Sequence, residues 1–234
     1  MDKTSVNGTS VLLLLLLLCL LLALFTAPSF ARKHYPPTQI PVLTSWIHVP
    51  LTLHIVHSDS PSYNSLKNFT PQVVTSIMSQ TQEIWDQARI RFDYTIKYTF
   101  IPATVLEPLF NQLDFYPFQV WLDSTLGQEP THVHGFFLKS LATSLHGRDY
   151  PFENVFFISE TSYGAKVGES LSRVVAHELG HVNQLVHPPM KVCRNAHSGR
   201  LMCQNQSGTS LTPREIAVAR STALTKEQYK RTRG

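Results

Sequence analysis

The residues best suited to chemistry lie between positions 174 and 187, where the sequence reads V-V-A-H-E-L-G-H-V-N-Q-L-V-H. On a helix, His177 and His181 stack on one face, one turn apart. Two imidazoles placed in this way can hold one metal ion at about 2.0–2.1 Å each. Glu178 lies roughly 100° round the same helix, within reach of a water on that metal. The spacing therefore predicts a zinc site with a carboxylate base beside it.

Other features of the same region support this prediction. Apolar residues at spacings of four, three and four occupy the opposite face of the helix, which can therefore be buried. They are Val175, Leu179, Val182 and Val186. His187 follows the helical motif as a candidate third ligand, and Met202 stands in a turn-like segment, residues 199–203. Together these features favour a metal site over a chance occurrence of H-E-x-x-H.

The pattern H-E-x-x-H-x-x-x-x-x-H, followed by a methionine, resembles that of the metzincin zinc metallopeptidases. The resemblance implies that His177, His181 and His187 bind one catalytic Zn²⁺ ion. It also implies that Glu178 is the catalytic base and that Met202 forms an apolar floor beneath the metal.

One position departs from the family pattern. Where the family has a glycine at the sharp turn after the helix, this chain has Gln184. Glycine adopts a left-handed backbone at low cost, whereas glutamine there costs about 1 kcal/mol or more. The alternative is that the neighbouring Asn183 takes the left-handed conformation.

The function implied is that of a secreted zinc endopeptidase, which hydrolyses internal bonds of a protein or peptide substrate. Zinc would activate a water and polarise the substrate carbonyl, and Glu178 would carry the proton from the water to the leaving amine. Two alternatives stay open. In one, a zinc hydrolase uses a downstream glutamate such as Glu215, in place of His187, as the third ligand. In the other, a secreted metal-binding protein has kept the fold and lost catalysis.

Cysteine usage agrees with secretion. Cys193 and Cys203 are ten residues apart, and in an oxidising compartment we expect them to pair beside the metal. The alternative is that both thiolates bind a metal together with His197. Asn68 and Asn205 match the N-glycosylation sequon, which is typical of secreted chains.

The N-terminal residues 1–31 predict a signal peptide. Residues 11–25 are almost all leucine, and small residues before position 32 favour cleavage after Ala31. This apolar run of about fifteen residues is short for a membrane span of roughly twenty. An uncleaved membrane anchor is the alternative. Residues 32–45, which contain three prolines, are expected to form an extended leader.

Periodicity predicts the elements that position the motif. Residues 47–55 and 90–100 alternate as strands, and the helix between them begins at Thr70 and Pro71. A right-handed crossover would make the two strands parallel. His48 and His54 are expected on the exposed face of the first strand.

Four shorter elements follow in the sequence. Residues 131–138 and 155–159 predict strands, 106–113 a short helix and 119–122 a short strand. Ser170 or Ser172 is expected to cap the zinc helix. His132 and His134 share one strand face, where a second metal ion is an alternative to a structural role.

The fold class expected is α+β and metzincin-like: a mixed, mostly parallel, twisted sheet with two long helices. These would form an upper lobe of about residues 46–183, above a small irregular lower lobe of about 184–234 that ends in a helix. In that family the substrate lies in the cleft between the lobes, against an edge strand. Residues 131–138 are the candidate for this strand.

The net charge of +4 is small, and part of it lies in the C-terminal tail. The basic tail residues are Lys226, Lys230, Arg231 and Arg233. We expect them to be solvated. No basic cluster is interleaved with aromatic residues as nucleic-acid binding favours, so a nucleic-acid partner is not expected. A monomer is the expected state.

Overall fold

The computed structural model describes nine stretches of the chain, all within one compact unit of residues 40–234. They are residues 45–65, 68–112, 114–127, 132–141, 147–150, 154–160, 170–194, 199–204 and 208–233. The predicted signal peptide, nearly all of the leader, Asn205 and His197 lie outside them. No helix in these stretches is long and apolar enough to cross a membrane.

A five-stranded sheet forms the centre of the molecule. Its strands are β1 (Ile47–His57), β2 (Ile90–Phe100), β3 (Val133–Leu138), β4 (Gly147–Tyr150) and β5 (Val155–Ser159). Their order is β2-β1-β3-β5-β4, and only β4 runs antiparallel to its neighbour. The α+β class is confirmed, as is the predicted parallel pairing of β1 with β2.

Helices cover both faces of the sheet. The elements are α1 (Pro71–Trp85), α2 (Ala103–Glu107), α3 (Tyr116–Leu126), α4 (Leu171–Val182), α5 (Met190–Cys193) and α6 (Pro213–Arg233). Odd-numbered β1 residues such as Leu53 share a core with α1, α4 and α6. The opposite face, which includes Phe136 and Phe157, packs against residues 101–122. The sheet therefore separates two apolar cores.

The first helix begins as its sequence predicts. The Thr70 hydroxyl accepts a hydrogen bond from the Val73 amide at 3.3 Å, and Pro71 occupies the first helical position. Asn68, two residues earlier, is exposed, so the sequon asparagine is accessible.

Two expectations about the elements are wrong. Residues 119–122, expected as a strand, lie within α3, because Phe118 and Leu122 are four residues apart and both buried on one helix face. An apolar run this short does not distinguish the period of a helix from that of a strand. Residues 131–138 are not an edge strand either, because β3 lies between β1 and β5, and the edges are β2 and β4.

Two expectations about exposure are also wrong. His54 is fully buried rather than exposed, because the second helical layer covers its face of the sheet and its ring stacks on Phe136 at 4.4 Å. Lys226, expected in a solvated tail, is buried in α6. Its amino group donates hydrogen bonds to the Asn154 side chain and to the Val182 carbonyl.

Burial of Lys226 makes stability depend on pH. Desolvation lowers its pKa from 10.5 to about 8, so between these values the unfolded chain holds the proton more tightly. The free energy of unfolding should therefore rise with pH in this window, by about 2 kcal/mol between pH 7.5 and 9.5. Urea unfolding of the wild type and of Lys226→Met is measured at both pH values. The contribution of Lys226 is the pH-dependent change in the free energy of unfolding that the wild type shows and the variant lacks. Equal pH dependence in the two proteins would contradict it.

Candidate metal centre

The helix that carries the motif is fixed at its start by serines. Ser170 is the N-cap, and its hydroxyl accepts a hydrogen bond from the Arg173 amide at 3.3 Å. Ser172 instead donates to the side chain of Gln80 in α1, at 3.0 Å. Of the two predicted caps the structure thus selects Ser170, while Ser172 joins α4 to α1.

The end of α4 turns the chain back toward the metal motif. Gln184 adopts a left-handed backbone with φ of 62°, whereas Asn183 does not. The Gln184 amide donates to the His181 carbonyl at 2.8 Å, and the Leu185 amide donates to the Gly180 carbonyl at 2.9 Å. This pair of bonds is a Schellman cap, so the turn falls at the family's glycine position despite the glutamine.

The reason for this placement lies in the side chain of Asn183. It is fully buried and donates to the Leu179 carbonyl at 2.8 Å, which keeps Asn183 in the last helical turn. Beyond the turn the helical period no longer applies. Val186, expected on the buried stripe, is therefore 77% exposed.

Three histidine side chains converge at this turn. The Nε2 atoms of His177 and His181 are 3.2 Å apart, those of His177 and His187 are 3.0 Å apart, and those of His181 and His187 are 2.9 Å apart. Among the described residues, this is the group of three or more whose ligand atoms could hold one metal ion. The structure thus brings together all three histidines that the sequence proposed as ligands.

Hydrogen bonds fix which nitrogen of each helical histidine is available. The Nδ1–H of His177 donates to the Leu201 carbonyl, and that of His181 donates to the Leu185 carbonyl, both at 2.8 Å. Burial lowers the pKa of His177 to about 3, and it also lowers the pKa of His187. In the neutral form, both helical rings therefore turn the lone pair of Nε2 to the centre of the cluster.

This arrangement fits a metal ion. A tetrahedral ion bound at the usual zinc–nitrogen length separates its nitrogens by about 3.3–3.4 Å, close to the separations observed. The lone pairs of His177 and His181 face each other, and neither can donate to the other. A cation between them would satisfy both, and the carbonyl partners are the usual outer contacts of metal-bound imidazoles. The centre could therefore bind a metal ion.

Met202 packs directly against α4, next to Gly180. It is fully buried, and a Cβ built on Gly180 would come within 2.5 Å of its sulfur. Gly180 is thus the residue that allows α4 and the 201–203 turn to approach this closely.

Arg173, which no sequence motif singled out, joins the same helix to the same turn. Its buried guanidinium donates to the carbonyls of Gly208 at 3.1 Å, Leu201 at 3.0 Å and Cys203. The Leu201 carbonyl therefore accepts from both Arg173 and His177. One signal was present in the sequence: an arginine in the first turn of a helix is unfavourable next to the helix dipole unless other contacts hold it.

The predicted disulfide is present. Cys193 at the end of α5 is bonded to Cys203, with 5.4 Å between their Cα atoms, and so ties the segment after His187 to the turn of Met202. Because both sulfurs are used in the disulfide, the alternative thiolate–metal site with His197 is not supported.

Glu215 has a structural role that explains it without a metal. Its carboxylate accepts hydrogen bonds from the Thr212 amide and hydroxyl at 2.7 and 2.8 Å, and it pairs with Arg200 at 2.6 Å. Thr212 and Glu215 thus form a capping box at the start of α6. This argues against Glu215 as third ligand.

The second histidine pair also lacks a metal geometry. His132 Nε2 bonds the Thr52 hydroxyl at 2.7 Å, and His134 Nδ1 bonds His54 Nε2 at 3.0 Å. Within the described residues these side chains are not part of a three-ligand group. The structure therefore does not support the alternative of a second metal ion on this strand.

Comparison with known proteins adds little. No protein-family model matches the chain. No curated protein matches it either. One solved structure, described as a chaperone–substrate complex, aligns over 79% of this chain and 35% of the other at 12% identity, with a TM-score of 0.42. The chain thus spans about a third of that protein, and a similarity this low supports no inference.

Replacing Gly180 by alanine tests the packing of Met202 against α4. In an exposed helix this change stabilises by up to about 1 kcal/mol. Here the new methyl group meets the buried Met202 sulfur, so we expect destabilisation of roughly 1–3 kcal/mol. Thermal or urea unfolding shows whether the substitution raises or lowers the free energy of unfolding. A stabilised Gly180→Ala variant would contradict the packing, and Gly180→Ala combined with Met202→Ala should show a non-additive recovery.

Proposed function

We propose that the protein is a secreted, zinc-dependent endopeptidase that hydrolyses internal peptide bonds. The observation that carries the proposal is the convergence of three Nε2 atoms, with the two helical rings locked by carbonyls. Imidazole nitrogen suits several transition metals, and the proposal of zinc rests on the H-E-x-x-H arrangement on a buried helix.

The access to the cluster supports a catalytic rather than a closed site. His177 is buried, His181 is half-buried and His187 is exposed. Protein therefore surrounds the cluster on one side, while the side of His187 faces solvent. A catalytic zinc site needs such an approach for water and substrate, whereas a structural zinc site is closed by a fourth protein ligand.

Glu178 is the residue proposed as general base. It directly follows His177 on α4 and is almost fully buried. A bound zinc ion would supply an activated water and a polarised carbonyl. Glu178 then accepts the proton of the water and delivers it to the amine of the departing peptide.

An edge strand is available to align a peptide beside this site. β4 lies at one edge of the sheet, antiparallel to β5, and α4 packs against both strands. In this proposal β4, in place of residues 131–138, pairs with the extended substrate. The Cys193–Cys203 disulfide is compatible with the extracellular location that the proposal assumes.

The role of Glu178 is tested by Glu178→Ala, which should keep the metal but lose nearly all turnover. We expect a loss of at least about 10²–10⁴-fold, the usual contribution of a general base. The assay is cleavage of an unfolded protein, with and without a zinc chelator, and the metal content of each variant is measured in parallel. Most of the activity remaining in Glu178→Ala would exclude this role.

The same assay separates the proposal from the metal-binding alternative. Cleavage that stops both with the chelator and in Glu178→Ala supports the endopeptidase. Zinc bound one to one with no cleavage of any substrate tested would favour a metal-binding protein without catalysis.

The ligand set is tested by comparing two alanine variants. His187→Ala removes a proposed ligand and should weaken zinc affinity by more than about 100-fold, beyond the usual effect of an outer contact. Glu215→Ala should keep zinc and lose about 1 kcal/mol of stability with its cap. Competition with a zinc indicator measures the affinities. A large loss of zinc affinity in Glu215→Ala, together with a small loss in His187→Ala, would make Glu215 the third ligand.

A further inference from the structure

β2 is an edge strand of eleven residues. No described strand pairs with its outer side. A long edge of this kind offers a row of backbone donors and acceptors to another chain.

The hydrogen bonds to β1 show which residues turn outward. The Ile47 amide donates to the Arg89 carbonyl, and the Ile101 amide donates to the His57 carbonyl, both at 3.0 Å. Odd-numbered residues around and along β2 therefore point their backbone groups toward β1. Even-numbered residues point theirs away from the sheet, because a residue's N–H and C=O lie on the same side of a strand.

The start of this outer edge is already satisfied by a side chain. The Gln82 amide group donates to the Ile90 carbonyl at 2.7 Å and accepts from the Phe92 amide at 3.0 Å. Beyond this point, none of the described residues bonds the outward groups of Tyr94, Ile96 and Tyr98. The edge open to a new strand thus begins after the Phe92 amide.

The side chains along this edge are both apolar and charged. On one face Tyr98 is 58% exposed and Phe100 is 49% exposed. On the other face Asp93 and Lys97 are exposed, four residues apart, with Thr95 midway between them. The charges are therefore arranged symmetrically about Thr95.

We propose that β2 pairs antiparallel with β2 of a second copy of this chain, with Thr95 on the two-fold axis. In this register Asp93 lies opposite Lys97 of the second copy, and the reverse pair is made by symmetry. Tyr94 lies opposite Ile96, and both have outward backbone groups, so they exchange hydrogen bonds across the axis. The sheets of the two copies become one.

Neighbouring registers lack this complementarity. Moving the axis to residue 94 places Arg91 opposite Lys97, two like charges. Moving it to residue 93 places Asp93 opposite Asp93 of the second copy. Moving it to residue 96 places Asp93 opposite Thr99, so that no opposite charge of the second copy faces it. Only the register centred on Thr95 pairs opposite charges and keeps the length of the open edge.

The proposed contact fits the rest of the molecule. Phe92 lies opposite Tyr98 of the second copy in this register, and the two are joined by one hydrogen bond only, from the Tyr98 amide to the Phe92 carbonyl. The Phe92 amide stays bonded to Gln82, which keeps both of its bonds. The metal centre stays accessible, since α4 packs on β4 and β5 and the dimer forms at the opposite edge of the sheet. This differs from the monomer expected from the sequence, and it does not depend on the proposed catalytic function.

A charge-swap experiment tests the proposal on the purified protein, whose N terminus is defined by mass spectrometry. Sedimentation equilibrium from micromolar to several hundred micromolar should show a reversible monomer–dimer equilibrium. Asp93→Lys alone and Lys97→Asp alone each place like charges opposite one another twice, and each should raise the dimer Kd by about tenfold or more. The double variant Asp93→Lys/Lys97→Asp should restore the wild-type Kd.

Two further variants make the result specific. Arg91→Gln, on the same strand face but opposite Thr99, should leave the Kd unchanged. Ile96→Pro removes an outward amide without touching the bonds to β1, so it should abolish the dimer while circular dichroism shows a folded monomer. Non-reducing electrophoresis excludes a covalent dimer. A wild type that stays monomeric throughout the range, or a double variant as weak as the single ones, would overturn the proposal.

Discussion

The geometry of the histidine cluster depends on one backbone carbonyl, that of Leu201. It accepts hydrogen bonds from His177 Nδ1 and from the Arg173 guanidinium, two donors on the same helix. This carbonyl therefore fixes the tautomer of the neutral His177 ring and joins α4 to the turn of Met202. A shift of the turn would rotate the ring and also open the contact of Met202 with Gly180, so the two features are coupled.

The turn itself is held from both sides. The disulfide joins Cys203 to α5, which follows His187, and Arg200 is paired with Glu215 at the start of α6. The segment that follows His187 and the turn of Met202 thus belong to one cross-linked unit. Such fixed supports limit how far a ligand ring can move, which is the condition for tight metal binding.

Among the described residues, two histidine clusters differ in their hydrogen bonding, and only that of His177, His181 and His187 forms a group that could hold a metal ion. His54 and His134 share a donor–acceptor bond, and His54 also bonds the Thr99 hydroxyl, so these rings satisfy one another. Burial lowers the pKa of His54 to about 3, which keeps it neutral in the core. In the other cluster, the Nδ1 atoms of His177 and His181 donate to backbone carbonyls. The facing Nε2 atoms of the neutral rings therefore carry no proton to share. The difference lies in hydrogen bonding and not in residue type.

The sequence by itself determined the local features: the helix of His177 and His181, the start of α1 at Thr70 and Pro71, the disulfide pair and the parallel pairing of β1 with β2. These depend on residue spacing, on contacts between near neighbours and on the handedness of the crossover. Only the tertiary structure decided which strand is an edge, that His54 and Lys226 are buried, and that Arg173 holds the Leu201 carbonyl. Each of these depends on what packs against a residue from elsewhere in the chain, and neither periodicity nor propensity carries that information.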